Sequence, residues 1–540
     1  MSFFDLLRGP DRITVLSESG PCPLAQSSAT SPRWTANGVA VTVEPVAETL
    51  AVRIRAPLLP LVRVQLRWRL DPSANLLYLG DAWERGYGEL AWRSLVAERP
   101  LPWYFQVHDG QVTHGYGVRT APAAWCCWQV DDAGVSLWLE IACGSRGVVL
   151  GERELDACTV VTRRGRTGES AAQAATAFAR LMCLNPRLPS APVYGFNDWY
   201  YAYGRSSAAT ILRDAGLVSE LCSGANRPFQ VIDGGWAKHH EAIGCEGGPW
   251  DAGNARFPDL PGLAAAIRGC GARPGIWFRP LLAEEPLPEA WLLPLLRFPH
   301  ESASPARLLD PTVPEAVARI RADVAGLAAW GYELIKHDFS TYDLCGRWGF
   351  QMGFQPTAGQ WSFHDRSVTT AEAILALYRA LRDGAGAAML LGCNTVSHLS
   401  AGFFEINRTG DDTSGRAWER TRRMGVNTLA FRAHQHGTFY AADADCVGLT
   451  ALVPWSLNRQ WLELLARSGT PLFVSADPEA LGSEQREALR QAFTRAAEPA
   501  STIEPIDWLL SSCPSYWRTT AESMHYDWYG EQGVDILNPG

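Results

Sequence analysis

The chain has 540 residues, a formal net charge of -9 and 47% hydrophobic residues. This length exceeds one ordinary domain and predicts two to four units, with cores large enough to be stable without disulfide bonds. A mildly acidic chain without runs of lysine or arginine disfavours a nucleic-acid partner, and no apolar segment approaches the length needed to cross a bilayer. Neutral or cationic ligands fit this composition better.

The first residues, Met1 to Pro10, lack the long apolar core and the small-residue cleavage site of a secretory signal. The 13 cysteines are scattered singly apart from Cys126 and Cys127, and no CxxC pair suggests structural zinc. We therefore expect reduced thiols in a cytoplasmic protein. The 22 tryptophans favour a carbohydrate ligand only weakly, because indole rings stack on sugars but also fill cores.

Residues 1–185 have the pattern of a β-sandwich, with many short strands separated by Gly, Pro and Asp. The clearest strand is Val62 to Leu70, where apolar and polar residues alternate strictly. An alanine-rich helix is predicted over Glu169 to Leu184. The aromatic segment Gly80 to Tyr87 is predicted to be a surface turn, and the alternative is a loop whose ring reaches a neighbouring active site. Further strands are predicted at Ala40 to Val46, Leu50 to Ile54, Ala123 to Val130, Val135 to Ile141 and Thr159 to Thr162.

Three prolines between Asn185 and Pro192 mark a domain boundary, after which strands and helices alternate. Eight such units predict a (β/α)8 barrel over residues 193–500, followed by a small β appendage over 501–540. Capping boxes are predicted at Thr312 with Glu315 and at Thr369 with Glu372. The predicted barrel strands are Val193 to Asn197, Phe229 to Asp233, Arg273 to Phe278, Tyr332 to Asp338, Ala388 to Cys393, Phe403 to Arg408, Asn427 to Phe431 and Pro471 to Ser475. The predicted helices are Ser206 to Cys222, Leu260 to Gly269, Val313 to Trp330, Ala371 to Arg382 and Ser483 to Glu498.

Polar and aromatic residues cluster at or just past the ends of these strands, where a barrel carries its active site. Lys336 and Asp338 are two residues apart, so their side chains leave the same face of an extended strand. A nearby lysine favours the ionised form of the aspartate, which suits a nucleophile. The alternative is a structural ion pair at the strand end. The other candidates are Trp199, Asp233, Trp236, Trp277, Arg279, Cys393, Asn394, Arg408, Asp411 and Asp412.

Two carboxylates facing each other across a barrel mouth are the minimal equipment for glycoside hydrolysis. Asp338 is the candidate nucleophile and Asp411 the candidate acid/base. The neighbouring Asp412 remains an alternative, and one of the two adjacent aspartates can instead cap a following helix.

His434-Gln435-His436 raises the hypothesis of a zinc site, because two histidines one residue apart can hold a metal at a strand end. No further cluster of histidines and carboxylates supports it, and Asp443-Ala444-Asp445 offers too few oxygens for calcium. We expect neither a metal nor another cofactor.

Six motifs follow one another along the chain: V-I-D-G-G-W from Val231, G-P-W-D from Gly248 with R-F-P from Arg256, G-I-W-F-R-P from Gly275, L-L-D-P from Leu308, I-K-H-D-F from Ile335 and R-T-G-D-D-T from Arg408. Taken together and in this order, they resemble glycoside hydrolase family 36 of clan D, which contains α-galactosidases and raffinose synthases. The resemblance covers about residues 193–480 and implies a retaining double displacement without metal. It assigns Asp338 as nucleophile and Asp411 as acid/base, and it places Trp199, Asp233, Trp277, Lys336, Cys393 and Arg408 at the sugar subsite, with Asp445 a less secure match.

The chain departs from the family pattern at two positions. Galactose-specific members carry I-D-D-G-W, whose second aspartate helps to hold the 4- and 6-hydroxyls, whereas this chain has Gly234. Arg279 stands where the family has glutamate. These changes lead to the hypothesis of a modified or non-galactose sugar, such as one with an anionic group.

Three further interpretations remain open. A transglycosylase of the raffinose-synthase type would use the same carboxylates, a non-catalytic barrel would only bind sugar, and a metal-dependent hydrolase would lose activity on chelation. The expected partner is a carbohydrate, an α-linked oligosaccharide or glycoside, and family analogy is compatible with a homo-oligomer.

Overall fold

The computed structural model describes residues 3–28, 31–72, 75–238, 246–298, 307–500, 503–531 and 533–534. Two large sheets dominate these residues, one antiparallel and one parallel. The antiparallel sheet comes from the N-terminal third of the chain and the parallel sheet from the segment that follows it. This order agrees with the predicted succession of a β-rich unit and an alternating α/β unit.

The antiparallel sheet is one continuous run of thirteen strands in the described chain. Phe105 and Trp128 come from strands near opposite ends of this run, and their ring centroids lie 5.5 Å apart. The run therefore doubles back so that its two ends share one core. In spatial order its strands are Leu77–Gly80, Tyr104–His108, Thr113–Val118, Leu155–Arg163, Thr49–Arg55, Val39–Val46, Arg33–Ala36, Gly20–Gln26, Arg12–Ser17, Leu61–Arg69, Gly134–Glu140, Trp125–Asp131 and Leu101–Pro102.

The alternating segment predicted at Val62 to Leu70 forms strand Leu61–Arg69. Val64, Leu66 and Trp68 are fully buried on one face, while the residues between them are only half-buried. A strand with one face on the core requires this period of two. The prediction of a half-buried antiparallel strand is confirmed.

Over the described residues, the parallel sheet contains nine short strands, and each pairs with the next strand of the sheet along the chain except across residues 444–446. The last strand pairs with the first, so the two edges of the sheet are the consecutive strands Ala441–Asp443 and Val447–Leu449. Only three residues separate these edges, so they lie close together. In chain order the strands are Tyr194–Asn197, Phe229–Ile232, Arg273–Phe278, Leu334–His337, Met389–Gly392, Ile406–Arg408, Ala441–Asp443, Val447–Leu449 and Leu472–Ala476.

Seven of the eight strands predicted for this sheet are present, but the seventh is wrong. Residues Asn427 to Phe431 are helical, and the seventh position is filled instead by the two strands that flank residues 444–446. Asn427 to Phe431 continue a helix that begins at Trp418 and are buried on all sides. Leu429, Ala430 and Phe431 form a short apolar run, which periodicity alone cannot assign to a buried helix or a buried strand.

The five helices predicted for this unit are present, and helix Trp455–Ser468, which was not predicted, also packs against the parallel strands. Thr369 and Glu372 form the expected capping box. Thr312 does not cap a helix, because the helix begins at Pro314 and the Thr312 hydroxyl donates to Asp310 instead. The helices are Ala171–Met182, Trp199–Ala202, Ala208–Glu220, Leu260–Gly269, Pro314–Ala329, Ser340–Cys345, Thr370–Ala385, Ser397–Ser400, Trp418–Thr421, Thr428–Arg432, Trp455–Ser468 and Ser483–Ala496, with a π-helical turn at Arg422–Asn427.

Near the C-terminus, strands Glu504–Pro505, Tyr516–Arg518 and Ser523–His525 form a small antiparallel sheet. Trp517 and Trp528 are fully buried beneath it, and the Trp418 indole N–H donates to the carbonyl of Trp528. The predicted β appendage is therefore packed against the helices that follow the sixth parallel strand. Among the described residues, no helix combines the length and the apolar character needed to cross a membrane. The domain boundaries themselves remain predictions.

Candidate active site

A cleft of about 440 Å³ opens at the carboxyl ends of the parallel strands. Its volume lies in the range of small-molecule sites. Seven of the predicted site residues line it, namely Trp199, Asp233, Trp277, Lys336, Asp338, Asp411 and Asp412. The remaining lining residues are Arg85, Tyr87, Gly234, Glu246, Phe339, Trp348, Phe350 and Arg420.

Asp338 follows directly after strand Leu334–His337 and is partly exposed to the cleft. The backbone N–H of Phe339 donates to its Oδ1 at 2.8 Å, and the indole N–H of Trp277 donates to its Oδ2 at 3.2 Å. Phe339 has a φ of 62°, a left-handed conformation that costs free energy for a non-glycine residue. Both oxygens of Asp338 are thus oriented by donors, and the chain turns sharply just after it.

Lys336 is paired with Asp233 and not with Asp338. Its ammonium group donates to Asp233 Oδ2 at 2.7 Å, and the same oxygen accepts from the Asn197 amide at 2.7 Å. Burial disfavours the charged lysine, but the Asp233 carboxylate keeps the pKa of Lys336 well above its ordinary value. Lys336 and Asp338 do face the same cleft, as predicted. The ion-pair partner of Lys336, however, is Asp233, which follows the second parallel strand.

Asp411 and Asp412 follow the sixth strand and have different surroundings. Asp411 has both carboxylate oxygens held, by Arg85 at 2.7 Å and by Arg420 at 2.7 Å. The Asp412 side chain is 39% exposed and lies 3.3 Å from Arg408. Although burial opposes its charge, Arg408 and Arg85 lower the pKa of Asp412.

Five predicted site residues lie beside the cleft and do not line it. The Trp236 indole is fully buried and donates to the carbonyl of Trp277, which positions that neighbour. Cys393 lies beneath Arg408, whose guanidinium donates to its sulfur at 3.3 Å. The Asn394 amide donates to Glu84. The five residues are Trp236, Arg279, Cys393, Asn394 and Arg408.

Arg279 forms a two-point ion pair with Asp343, at 2.9 Å from Nε and 2.5 Å from Nη2. Asp343 is fully buried, and the guanidinium lies 4.3 Å above the ring of Phe339. The positive charge that the sequence introduces here is therefore neutralised within the protein. This pairing removes the main argument for an anionic substrate.

The segment Gly80 to Tyr87 is buried, so the prediction of a surface turn is wrong. Asp81 accepts from Arg432 at 2.7 Å, and neither side chain is more than 1% exposed. The backbone N–H of Gly86 donates to Thr409, and the N–H of Asp411 donates back to Gly86, each at 2.9 Å. The antiparallel unit thus supplies one wall of the cleft.

His434 and His436 do not form a metal site. His434 is buried and His436 is partly buried, and each makes a hydrogen bond within the protein, His434 with the Tyr104 hydroxyl at 2.8 Å and His436 with the backbone N–H of Ala442 at 3.2 Å. Burial lowers the pKa of His434 to about 3 and that of His436 to about 4. Within the described ranges, no group of three or more His, Cys, Asp or Glu side chains is arranged to hold a metal ion.

The chain is similar in structure to several α-galactosidases. TtGalA from Thermus thermophilus, in complex with p-nitrophenyl α-D-galactopyranoside, aligns over 96% of this chain and 99% of its own, with a TM-score of 0.60 and 18% identity. The chain shares the fold of these enzymes. A variant of the family 36 enzyme AgaA from Geobacillus stearothermophilus aligns over 94% of this chain and 78% of its own, with a TM-score of 0.58 and 14% identity. The galactosidase domain of the α-galactosidase-sucrose kinase AgaSK aligns over 90% and 73%, with a TM-score of 0.55 and 14% identity. No family model and no curated protein sequence matches the chain.

Sequence reasoning missed several residues that line the cleft in this α-galactosidase fold. Tyr87 and Arg85 come from the antiparallel unit, and only the aromatic, charged composition of their segment suggested a role. Trp348, Phe350 and Arg420 follow the fourth and sixth strands in segments without a regular pattern. The ring of Trp348 lies 5.4 Å below the Arg85 guanidinium, which joins the two units at the rim.

Proposed function

We propose that the protein is a retaining α-glycosidase of the α-galactosidase type. The observation that carries the proposal is that Asp338 lines the same cleft as Asp411 and Asp412, in a fold shared with α-galactosidases. Two carboxyl groups on opposite sides of a glycosidic bond are sufficient for a double displacement. In this proposal the parallel strands form a (β/α)8 barrel over residues 193–500, behind a β-sandwich over residues 1–185.

Asp338 acts as the nucleophile. Its carboxylate attacks the anomeric carbon while the acid/base protonates the leaving oxygen, so that a covalent glycosyl-enzyme forms and the aglycone departs. Water then attacks the same carbon and gives its proton to the acid/base, which releases the sugar with its α configuration. The Trp277 N–H and the Phe339 N–H hold the attacking carboxylate in a fixed orientation.

The geometry favours Asp412 over Asp411 as the acid/base, in contrast to the assignment implied by the family resemblance, although Arg408 and Arg85 lower the pKa of Asp412 and so oppose its protonated form. Both oxygens of Asp411 are already held by arginines, so a proton on this group would displace an ion pair. Asp412 has a single ion-pair contact under 3.5 Å among the described residues, and 39% of its side chain is exposed. The ordered Asp411 then fixes the backbone that carries Asp412.

The other cleft residues bind the sugar or support those that do. Asp233 presents a carboxylate whose charge is balanced by Lys336, and Trp199 and Trp277 offer indole rings for the sugar face. Cys393, Asn394, Trp236 and Arg408 act through these neighbours and not by direct contact. A neutral, hydroxyl-rich ring suits a cleft that combines carboxylates with aromatic walls.

The test uses p-nitrophenyl α-glycosides of galactose, N-acetylgalactosamine, glucose and a uronic acid, with wild type and Asp338→Ala. We expect hydrolysis of at least one neutral glycoside, loss of activity in the variant, and return of turnover with azide as a β-glycosyl azide. Asp383→Ala, which changes an exposed aspartate on helix Thr370–Ala385, is the matched control and should retain activity.

Two outcomes would contradict the proposal. Binding of galactosides without any turnover would indicate a sugar-binding protein, and azide rescue with an α-azide product would exclude Asp338 as the nucleophile. Glycosyl transfer to an added sugar acceptor, at a rate exceeding hydrolysis, would reassign the reaction to a transglycosylase with the same carboxylates.

A further inference from the structure

Glu246 is a carboxyl group in the cleft to which the double displacement assigns no role. It lies just before the Gly248-Pro249-Trp250 segment, lines the cleft and is only 1% exposed. Its Oε2 accepts from the backbone N–H of Gly235 at 2.6 Å. This bond fixes the carboxyl group directly beside the turn that follows the second parallel strand.

The Glu246 carboxyl group fills the space in front of Gly234. A Cβ atom placed on Gly234 would lie 3.0 Å from Oε1 and 3.4 Å from Oε2 of Glu246. The first distance is shorter than an ordinary van der Waals contact, so a side chain at position 234 and the Glu246 carboxyl compete for one place. An aspartate on Gly234 would extend its carboxyl group into the volume that Glu246 now occupies.

We propose that Glu246 supplies, from a different loop, the second carboxyl group that position 234 lacks, and that it binds a hydroxyl of a neutral hexose beside Asp233. The inference rests on the proposed glycosidase function and specifies its substrate class. It also accounts for the glycine, because Gly234 leaves room for Glu246. Galactose, whose 4- and 6-hydroxyls meet such a carboxyl pair in the related family, is then a better substrate than a uronide.

Electrostatics support this arrangement. Burial, together with the nearby charge of Asp233, raises the pKa of Glu246 to about 7, against the opposing effect of the Gly235 N–H. A carboxyl group that is partly protonated near neutral pH both donates and accepts hydrogen bonds. It can therefore pair with a hydroxyl, whereas a sugar carboxylate at the same place would face two acidic side chains.

The test moves the carboxyl group from position 246 to position 234. We expect Glu246→Ala to lower kcat/KM for p-nitrophenyl α-galactoside by about 10- to 100-fold, because a hydrogen bond between the buried carboxyl group and the substrate hydroxyl is lost. Gly234→Asp alone should be as impaired, because the two carboxyl groups collide. The double variant Gly234→Asp with Glu246→Ala should recover most of the lost activity. Glu284→Ala removes an exposed carboxylate near the same loop, outside the cleft, and serves as the control.

Deoxy substrates separate binding from a purely structural role. Wild type should discriminate against either the 4-deoxy or the 6-deoxy galactoside, and this discrimination should disappear in Glu246→Ala. Titration with 1-deoxygalactonojirimycin measures binding in each variant independently of turnover.

Three results would overturn the inference. The first is a double variant no more active than its parents, and the second is unchanged discrimination in Glu246→Ala while wild type remains active on galactosides. Either would leave the proposed glycosidase function intact. A wild type that neither binds 1-deoxygalactonojirimycin nor hydrolyses any neutral glycoside would refute both proposals.

Discussion

Replacing Glu246 by glutamine removes a titrating group from the cleft, and we expect this to change how stability depends on pH. The pKa of Glu246 is raised from 4.5 to about 7, chiefly because burial disfavours its charged form. Asp233 and Asp198 also disfavour the charge, while Arg256 and the Gly235 N–H favour it. The folded protein therefore holds a proton here that the unfolded chain has already released.

The sign and the size follow from this difference in proton binding. Between pH 8 and pH 6 the folded state takes up most of one proton at Glu246, whereas the unfolded state takes up almost none. Linkage converts this uptake into about 1.4 kcal/mol of additional stability at pH 6 relative to pH 8. The contribution is fully present below pH 4.5 and is lost as pH rises through about 7.

The assay is urea unfolding of wild type and Glu246→Gln at pH 6, 7 and 8. We expect the free energy of unfolding of wild type to gain about 1.4 kcal/mol more than that of the variant on going from pH 8 to pH 6. Asp198, whose pKa burial also raises to about 7, titrates in both proteins, so most of its contribution cancels in the comparison. Identical pH dependence in the two proteins would refute the buried, protonated state of Glu246.

Three further substitutions test separate parts of the structure. Asp412→Asn should lower kcat/KM for alkyl galactosides by about 10²- to 10⁴-fold, and kcat/KM for p-nitrophenyl galactoside by less. Azide should restore turnover in this variant and give an α-galactosyl azide. If azide instead rescued Asp411→Asn in this way, the assignment would be reversed. Asp81→Ala breaks the fully buried ion pair with Arg432 and should lower the free energy of unfolding by about 3–5 kcal/mol, measured by urea unfolding. Asp81→Asn should lower it by less. Equal stability of wild type and Asp81→Ala would contradict the role of this pair in joining the two units. Arg279→Ala should leave the preference for neutral over anionic glycosides unchanged. It should lower the melting temperature, because the carboxylate of Asp343 loses its ion-pair partner. A changed preference would indicate that Arg279 takes part in substrate binding.

The parallel strands could be predicted because their sequences are short apolar runs followed at once by polar residues. Lys336 and Asp338 were found this way, and their common orientation follows from the period of two in a strand. The seventh position was misplaced because its two strands are only three residues each, and a buried helix nearby had the stronger apolar run. Local patterning carries too little information over three residues.

Pairings between distant segments could not be predicted in the same way. The partner of Lys336 is 103 residues away, and that of Arg279 is 64 residues away. A charge at the end of a strand signals a site, but the sequence does not say which opposite charge neutralises it. Glu246 shows the same limit, since its relation to Gly234 depends on how a loop folds back over the second strand.

The configuration of the first-formed sugar tests the central claim most directly. Proton NMR of p-nitrophenyl α-galactoside hydrolysis, recorded before mutarotation, distinguishes the two anomers of released galactose. The double displacement at Asp338 predicts that the α anomer appears first and equilibrates later with the β anomer. Initial release of the β anomer would establish a single displacement and contradict a covalent intermediate on Asp338.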